Sequence, residues 1–186
     1  IFVYANGLLG GQLKQVANLG QSSETTAQML LRLSEFKNYS ARDAWILAGA
    51  NDVAGSTTVA TTIANLKLIY AAALASGKTV RAFTILPLGS SHASFATAKP
   101  KIQQINNWIK QYCRQTVGMQ CVDTYAAIVD PASATGAQLA NTLQADHIHP
   151  STYGAFLVGT AVKNSYNEIG RSTRLNSSHD QRTRMP

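Results

Sequence analysis

The sequence is poor in cysteine and lacks long apolar runs. Its 186 residues include 2 Cys, and no stretch reaches the roughly 18 consecutive apolar residues that a membrane-spanning helix requires. We therefore predict no membrane span. The first residues also lack the charged-then-apolar pattern of a secretory signal. The chain is long enough to bury one core and too short for two ordinary domains, so we expect a single globular domain.

Acidic residues are scarce relative to basic ones. The sequence has 16 Lys and Arg against 9 Asp and Glu, a formal net charge of +7. Four of the basic residues lie within positions 171–186; without that tail, 12 basic and 8 acidic residues remain, a charge of +4. No basic run is interleaved with aromatic residues, so we expect no nucleic-acid partner.

The two cysteines, Cys113 and Cys121, are separated by a turn-like segment. Without further cysteines this spacing is a poor zinc signal. The pair could close a small disulfide loop between a helix end and the next strand, which would fit an exported protein and favours a secreted or periplasmic location. Two separate buried thiols are the alternative.

Apolar runs typical of strands alternate along the chain with helical periodicity. A helix capped by Ser22 or Ser23 is predicted, with Met29, Leu30 and Leu33 on one face. Strands alternating with crossover helices indicate a parallel sheet covered on both faces, a doubly wound α/β domain. The strand candidates are Ile1–Tyr4, Val16–Leu19, Ala44–Ala48, Thr79–Leu86 and Met119–Val122, and the other helix candidates are Val59–Ala75, Ile102–Tyr112 and a final helix.

The final helix is expected to begin at Pro150, because proline suits a first helical turn. Its predicted inward residues are Tyr153, Phe156, Leu157 and Ala161.

The domain is expected to occupy residues 1–170, and residues 171–186 form a different kind of segment. That tail has only Leu175 and Met185 as large apolar residues and no periodicity, so it cannot bury enough surface to offset its ordering entropy. It also resembles the conceptual translation of a sequencing adapter. We therefore predict a disordered, artefactual tail and leave it out of the fold.

The segment Asp146–Pro150 carries the clearest chemical signal. Asp146 precedes His149 by three residues, so one turn of backbone can place the carboxylate on the imidazole Nδ1–H and leave Nε2 outward as a base. These are two of the three members of a hydrolytic triad.

Two further segments offer donors for an oxyanion. Gly49–Asp52 follows directly on a buried strand, at the sheet edge where doubly wound folds place their ligands, and the Asn51 amide there can donate to a negative oxygen. Asn18–Ser23 opens a helix whose first backbone N–H groups are unpaired. Three strand ends therefore supply a donor, a second donor and an acid–base pair.

Taken in this order, the segments resemble the SGNH, or GDSL-type, hydrolase superfamily of esterases and lipases. Its second block is similar to Asn18–Thr25, its third to Gly49–Asp52 and its fifth to Asp146–Pro150. The resemblance implies a three-layer α/β/α flavodoxin-like fold and ester hydrolysis without metal or cofactor.

The same resemblance implies roles for single residues. His149 is expected to be the general base and Asp146 the carboxylate that orients it. The Asn51 side chain and the backbone N–H of Ser23 are expected to form the oxyanion hole. Ser23 departs from the family pattern, which has glycine at this position. Glycine tolerates backbone dihedral angles that are unfavourable for serine, so the change puts the geometry of this donor in doubt.

The larger departure is the first block, Gly-Asp-Ser, which normally holds the nucleophile and has no counterpart here. Either Ile1–Leu8 is a degenerate first block with Gly7 at the serine position, or the block lies upstream of Ile1 and the first strand is missing. Ser22 or Ser23 as nucleophile is disfavoured, since both match the second block. In each case we expect impaired catalysis.

Two other functions remain open. The chain could be a non-catalytic module that binds an ester or an acetylated glycan, or a metal-dependent hydrolase using Asp146, His147 and His149. The expected partner is a small-molecule or glycan ester.

Overall fold

A computed structural model describes residues 1–133, 138–139 and 141–166. In this part of the chain, three strands form a parallel sheet of order β1-β2-β3. Strand β1 is Asp43–Ile46, β2 is Thr79–Phe83 and β3 is Met119–Val122. Both strand pairs need a crossover, because parallel neighbours cannot be joined by a hairpin.

Helices provide the crossovers and the outer layers. The longest, α4 and α5, lead into β2 and β3. The described helices are α1 Phe2–Leu8, α2 Thr26–Leu30, α3 Ala50–Ala54, α4 Val59–Ala75, α5 Phe95–Gln115, α6 Thr124–Ile128 and α7 at 152–166, with a 3-10 turn at Leu33–Lys37.

The sheet has a hydrophobic core on each face, because alternate residues of a strand point to opposite sides. Ile46 and Ala82 belong to a cluster with residues of α4 and α5. Phe83 belongs to a smaller cluster with Ala5 of α1 and Val162 of α7. The predicted α/β/α arrangement of three layers is therefore confirmed.

The first two strand predictions are wrong. Ile1–Tyr4 leads into and forms the first turns of α1, and Val16–Leu19 has no regular secondary structure. Tertiary packing overrides the strand composition of the first segment: Ala5 is fully buried, and a Cβ at Gly159 of α7 would lie 2.8 Å from the Tyr4 Cβ. The absence of a Cβ at Gly159 lets the two backbones approach this closely.

The helix predicted from Ser22 or Ser23 starts later. Its N-cap is Thr25, whose side chain accepts from the backbone N–H of Gln28 in a reciprocal capping box. Similarly, the strand predicted to reach Leu86 ends at Phe83. The strands Ala44–Ala48 and Met119–Val122 and the helix Val59–Ala75 are confirmed within the usual margin at element ends. The helix predicted at Ile102–Tyr112 is confirmed, but it is longer than predicted and runs from Phe95 to Gln115.

The face of the final helix was predicted wrongly in part. Pro150 lies in an isolated bridge with Leu143, and the helix begins after Ser151, whose Oγ accepts from Gly154 N. Tyr153 and Phe156 are exposed. The buried residues follow a helical period and are Gly154, Val158, Gly159, Val162 and Ser165.

Neither Cys113 nor Cys121 is in a disulfide. None of the helices in the described ranges has the length and apolar character that crossing a bilayer demands. The tail predicted at 171–186 lies outside the described residues.

Candidate active site

Asp146 and His149 form the hydrogen-bonded pair that their spacing predicts. The Asp146 Oδ2 lies 2.6 Å from the His149 Nδ1. The Asp146 Oδ1 accepts from the backbone N–H groups of Ile148 at 2.9 Å and His149 at 3.0 Å. An imidazole that donates from Nδ1 carries its lone pair on Nε2, and the His149 side chain is 68% exposed. The ring is therefore oriented to take up a proton from outside the loop.

These hydrogen bonds stabilise the ionised Asp146. The bond to His149 contributes most, and the two backbone N–H groups follow, so the pKa of Asp146 lies well below its usual range. The carboxylate therefore stays charged and can stabilise an imidazolium on His149.

The loop that carries the pair is held at both sides. Gln144 N donates to His149 O at 2.8 Å, and Ser151 N donates to Thr142 O at 2.9 Å. His147 adopts a positive φ of 59°, and its carbonyl accepts from Gly89 N at 2.8 Å. His147 thus fixes the loop to the segment that follows β2.

A metal centre at Asp146, His147 and His149 finds no support in this geometry. Both oxygens of Asp146 are bonded to protein donors, and no group of three or more His, Cys, Asp or Glu side chains in the described ranges is arranged to hold an ion.

Asn51 lies in the first turn of α3, directly after β1. The N-cap of α3 is Gly49, which has a φ of 101°. A Cβ at this position would lie 2.9 Å from Ile85 Cδ1, so the turn requires glycine. The Asn51 Nδ2 donates to Glu24 O at 2.9 Å. A side-chain amide carries two N–H bonds, so this contact orients the amide and leaves a second N–H for a ligand.

Asp52 performs a task that the sequence did not reveal. The Asp52 side chain is fully buried and accepts from Thr26 N at 2.9 Å and Thr26 Oγ1 at 2.6 Å. It therefore ties the start of α2 to α3, and with it the second-block loop to Asn51. No sequence signal links residues this far apart.

A salt bridge holds the other side of that loop. Arg32 Nε donates to Glu24 Oε1 at 2.6 Å, and Arg32 Nη2 donates to Glu24 Oε2 and to Leu19 O, the latter at 2.7 Å. A bidentate pair of this kind fixes orientation as well as charge. Sequence reasoning missed Arg32 entirely.

Ser23 adopts the left-handed conformation that we expected to be a problem. Its φ is 60°, a region that residues other than glycine enter at a cost. The residue is exposed. The loop therefore keeps the backbone shape of a glycine position although serine stands there.

The site has two halves, the turn that carries Asn51 and the loop that carries Asp146 and His149. Both adjoin the same segment after β2. Ile85 lies against Gly49, and Gly89 lies against His147. Asn106 of α5 holds this segment, accepting from Ile85 N at 2.7 Å and donating to Ile85 O at 2.9 Å. Both halves thus lie at the carboxyl end of the sheet, where ligands bind in such folds, although no hydrogen bond joins Asn51 to the Asp146–His149 pair in the described part of the chain.

A cavity of about 660 Å³ lies beside Asn51. Its lining includes Leu19, Gly20, Glu24 and the β1 residue Trp45. Strand β1 pairs only with β2 in the described structure, so the cavity runs along a sheet edge. It has the size of a small-ligand pocket.

Comparison with known proteins gives one sequence family and many similar folds. The GDSL-like Lipase/Acylhydrolase family matches residues 4–155. A GDSL-like lipase from Bacteroides thetaiotaomicron is 26% identical, with a TM-score of 0.69 over 80% of this chain and 73% of that one. No curated protein matches the sequence.

Two further structures resemble this one in fold alone. The lipase/acylhydrolase from Enterococcus faecalis is 23% identical, with a TM-score of 0.69 over 91% of this chain and 84% of that one. A carbohydrate esterase family 3 protein from Talaromyces cellulolyticus is 18% identical, with a TM-score of 0.64 over 82% of this chain and 71% of that one.

Proposed function

Because the chain belongs to the GDSL-like lipase/acylhydrolase family, we propose that its site is built for the hydrolysis of carboxylic esters by the serine-esterase mechanism. The observation that carries the proposal is the 2.6 Å contact between Asp146 and the His149 Nδ1. It sets the tautomer that a general base needs.

In this mechanism His149 takes the proton of the attacking hydroxyl through Nε2 and returns it to the leaving alcohol. Asp146 remains ionised throughout and stabilises the imidazolium that forms. The low pKa of Asp146, caused first by its bond to His149, supports that role.

The oxyanion is stabilised by Asn51 and by the backbone N–H of Ser23. Preformed donors aimed at the developing charge need no reorganisation during the reaction. The bond from Asn51 to Glu24 and the Arg32–Glu24 salt bridge supply that rigidity.

The nucleophile is the missing part. The first block that carries serine in the family has no counterpart in this sequence, and the degenerate version would place Gly7 where the hydroxyl belongs. Ile1–Tyr4, which that version requires as a strand, leads into helix α1. We therefore expect this polypeptide to retain only the contribution of the oxyanion hole and of binding, on the order of 10³- to 10⁴-fold over water.

The second candidate is a non-catalytic module for a small-molecule or glycan ester. The cavity of about 660 Å³ beside Asn51 favours it, since a pocket with oriented donors can hold an ester carbonyl whether or not a hydroxyl attacks. The fold similarity to a carbohydrate esterase makes an acetylated glycan a reasonable ligand to test.

The test compares p-nitrophenyl acetate hydrolysis by the protein, by two site variants and by one control variant. In a triad, losses are strongly non-additive, so His149→Ala should change a residual rate little when no serine is present. Asn51→Ala should lower it about 10²-fold, as removal of one oxyanion donor does. His92→Ala is the control, because His92 lies outside the pair and its Nδ1 accepts from Ser94 N at 3.1 Å.

Each outcome decides between the candidates. Fast turnover that His149→Ala abolishes would contradict the missing nucleophile, and a fluorophosphonate probe would then label the serine. No acceleration over buffer, together with saturable binding of an acetylated glycan, would overturn the esterase proposal in favour of the binding module.

A further inference from the structure

A further cavity lies at the opposite sheet edge, and its lining includes neither Asp146 nor His149. It measures about 560 Å³, and its lining includes Cys113, Cys121, Lys110, Arg114 and Asp123. Strand β3 pairs only with β2 within the described residues, so this cavity opens along the edge of β3. Esterase chemistry at His149 uses none of these residues.

Local structure brings the two cysteines together. Cys113 lies in the last turn of α5, and Cys121 lies in β3. Gly118, with φ of 82°, lets the chain reverse between them. Cys121 points to the same sheet face as Ala82 and Met119, against which α5 packs, and it packs against the core cluster that contains Cys113. Both cysteines line the same cavity. They are the only cysteines of the chain, so no other intramolecular pairing exists.

We propose that Cys113 and Cys121 are a redox pair that closes to a disulfide by thiol–disulfide exchange, with Cys121 attacking and Cys113 resolving. The inference is independent of the proposed esterase function.

The surroundings make the two thiols unequal. The hydrogen bond from Cys113 and the charges of Lys110 and Arg114 lower the pKa of Cys121, and burial and Asp123 oppose this without reversing it. Cys113 is only 7% exposed, and its hydrogen bond to Cys121 raises its own pKa. The thiolate is the nucleophile in exchange, so the more accessible Cys121 reacts first.

The reaction balances with glutathione disulfide as oxidant. The Cys121 thiolate attacks one sulfur of glutathione disulfide and expels one glutathione thiolate. Cys113 then loses its proton to solvent and attacks the Cys121 sulfur, which expels the second glutathione. Two protein thiols are oxidised by two electrons, and one glutathione disulfide is reduced to two glutathiones. Capping Cys121 also removes the main cause of the raised pKa of Cys113, so the second step follows readily.

The disulfide would join the end of α5 to the edge strand. Closing a loop of about nine residues constrains the unfolded chain, and for a protein of this size we expect the oxidised form to melt roughly 5 °C or more above the reduced form. An exported protein would gain this stability on reaching an oxidising compartment.

The test begins with the unaltered chain. After equilibration with glutathione disulfide, we expect the titratable thiols of the unfolded protein to fall from two to none, with a monomeric product and a peptide containing Cys113 linked to one containing Cys121. Two thiols still titratable at equilibrium, a stable glutathione adduct on the unaltered chain, or a disulfide-linked dimer would each overturn the proposal.

Two matched variants test the order of attack. Cys113→Ala should accumulate one glutathione on Cys121, because no resolving thiol remains. Cys121→Ala should react at least about tenfold more slowly, because Cys113 is buried and its thiolate is disfavoured. Equal rates for the two variants would refute Cys121 as the attacking group, and the thiol count of the unaltered chain stands even if a variant folds poorly.

Discussion

At the scale of single residues, the sequence predicts contacts between near neighbours in the chain, but it does not predict contacts between distant segments. The contact between Asp146 and His149 follows from their spacing alone and is confirmed. The left-handed dihedral of Ser23 was predictable only because the family pattern has glycine at this position. The burial of Asp52 against Thr26 could not be foreseen, because it depends on how two distant segments meet.

We predict that Ser23→Gly stabilises the protein. Serine at a φ of 60° costs about 1–2 kcal/mol relative to a residue without Cβ, part of which is offset by the larger entropy of glycine in the unfolded chain. The free energy of unfolding in urea should rise by about 0.5–1 kcal/mol. Ser22→Gly, at a position without positive φ, should lower it; equal effects of the two substitutions would contradict the strain.

We also predict that Asp146 titrates well below the usual carboxyl range. Its lowered pKa comes first from His149 and then from the N–H groups of Ile148 and His149. A carboxyl with a lowered folded-state pKa stabilises the fold at pH above its unfolded pKa, and this stabilisation is lost as pH falls through the folded pKa.

Carbon NMR of the Asp146 carboxyl measures this directly. In His149→Ala the pKa of Asp146 should rise but stay below its usual range, because the Ile148 N–H still donates. A normal pKa in the unaltered protein would contradict the hydrogen-bonded pair.

At the scale of elements, strong periodicity predicted helices well, and short apolar runs did not predict strands. Val59–Ala75 is long and ends where glycine follows. Ile1–Tyr4 and Val16–Leu19 are too short for periodicity to separate strand from helix or loop, and packing against other elements decides their conformation. Packing also explains why Tyr153 and Phe156 of α7 are exposed although they were predicted to point inward. The composition of a helix does not show which of its faces meets the core.

The hydrogen bonds between Thr26 of α2 and Asp52 of α3 should contribute strongly to the stability of the protein. The two Thr26 donors bond to different carboxylate oxygens of Asp52, and Asp52→Asn replaces one of these oxygens by an NH2 group, which cannot accept. Hydrogen bonds to charged groups contribute about 1.5–3 kcal/mol each, so the free energy of unfolding should fall by about 2–3 kcal/mol in urea denaturation. Thr26→Ser, which keeps both donors, is the control and should lose much less. An Asp52→Asn protein as stable as the original would refute this contribution.

At the scale of the whole molecule, the three-layer architecture was predictable from the sequence. The close contact between helices α1 and α7 was not. Helix α1 meets α7 at Gly159, where a Cβ would lie 2.8 Å from Tyr4 Cβ and 3.0 Å from Ala5 N. A glycine within a helix gives no sequence sign of such an approach. The same contact explains why the first segment is a helix.

Gly159→Ala tests this packing. The new methyl group must push α1 away from α7, and such overpacking costs about 1–3 kcal/mol, which a urea denaturation curve resolves. Gly7→Ala is the matched control, because a Cβ at Gly7 meets nothing within 4 Å and alanine favours the helix. A Gly159→Ala protein more stable than the original would mean that α1 does not lie there.

The central claim is that the Asp146–His149 pair and the Asn51 amide face one ester-binding site. The most direct measurement is an NMR titration of labelled protein with acetate, the carboxylate product of acetyl ester hydrolysis. We predict that the His149 ring and the Asn51 side-chain amide shift together, with one dissociation constant. A shift at only one of them, or two unrelated constants, would contradict the claim.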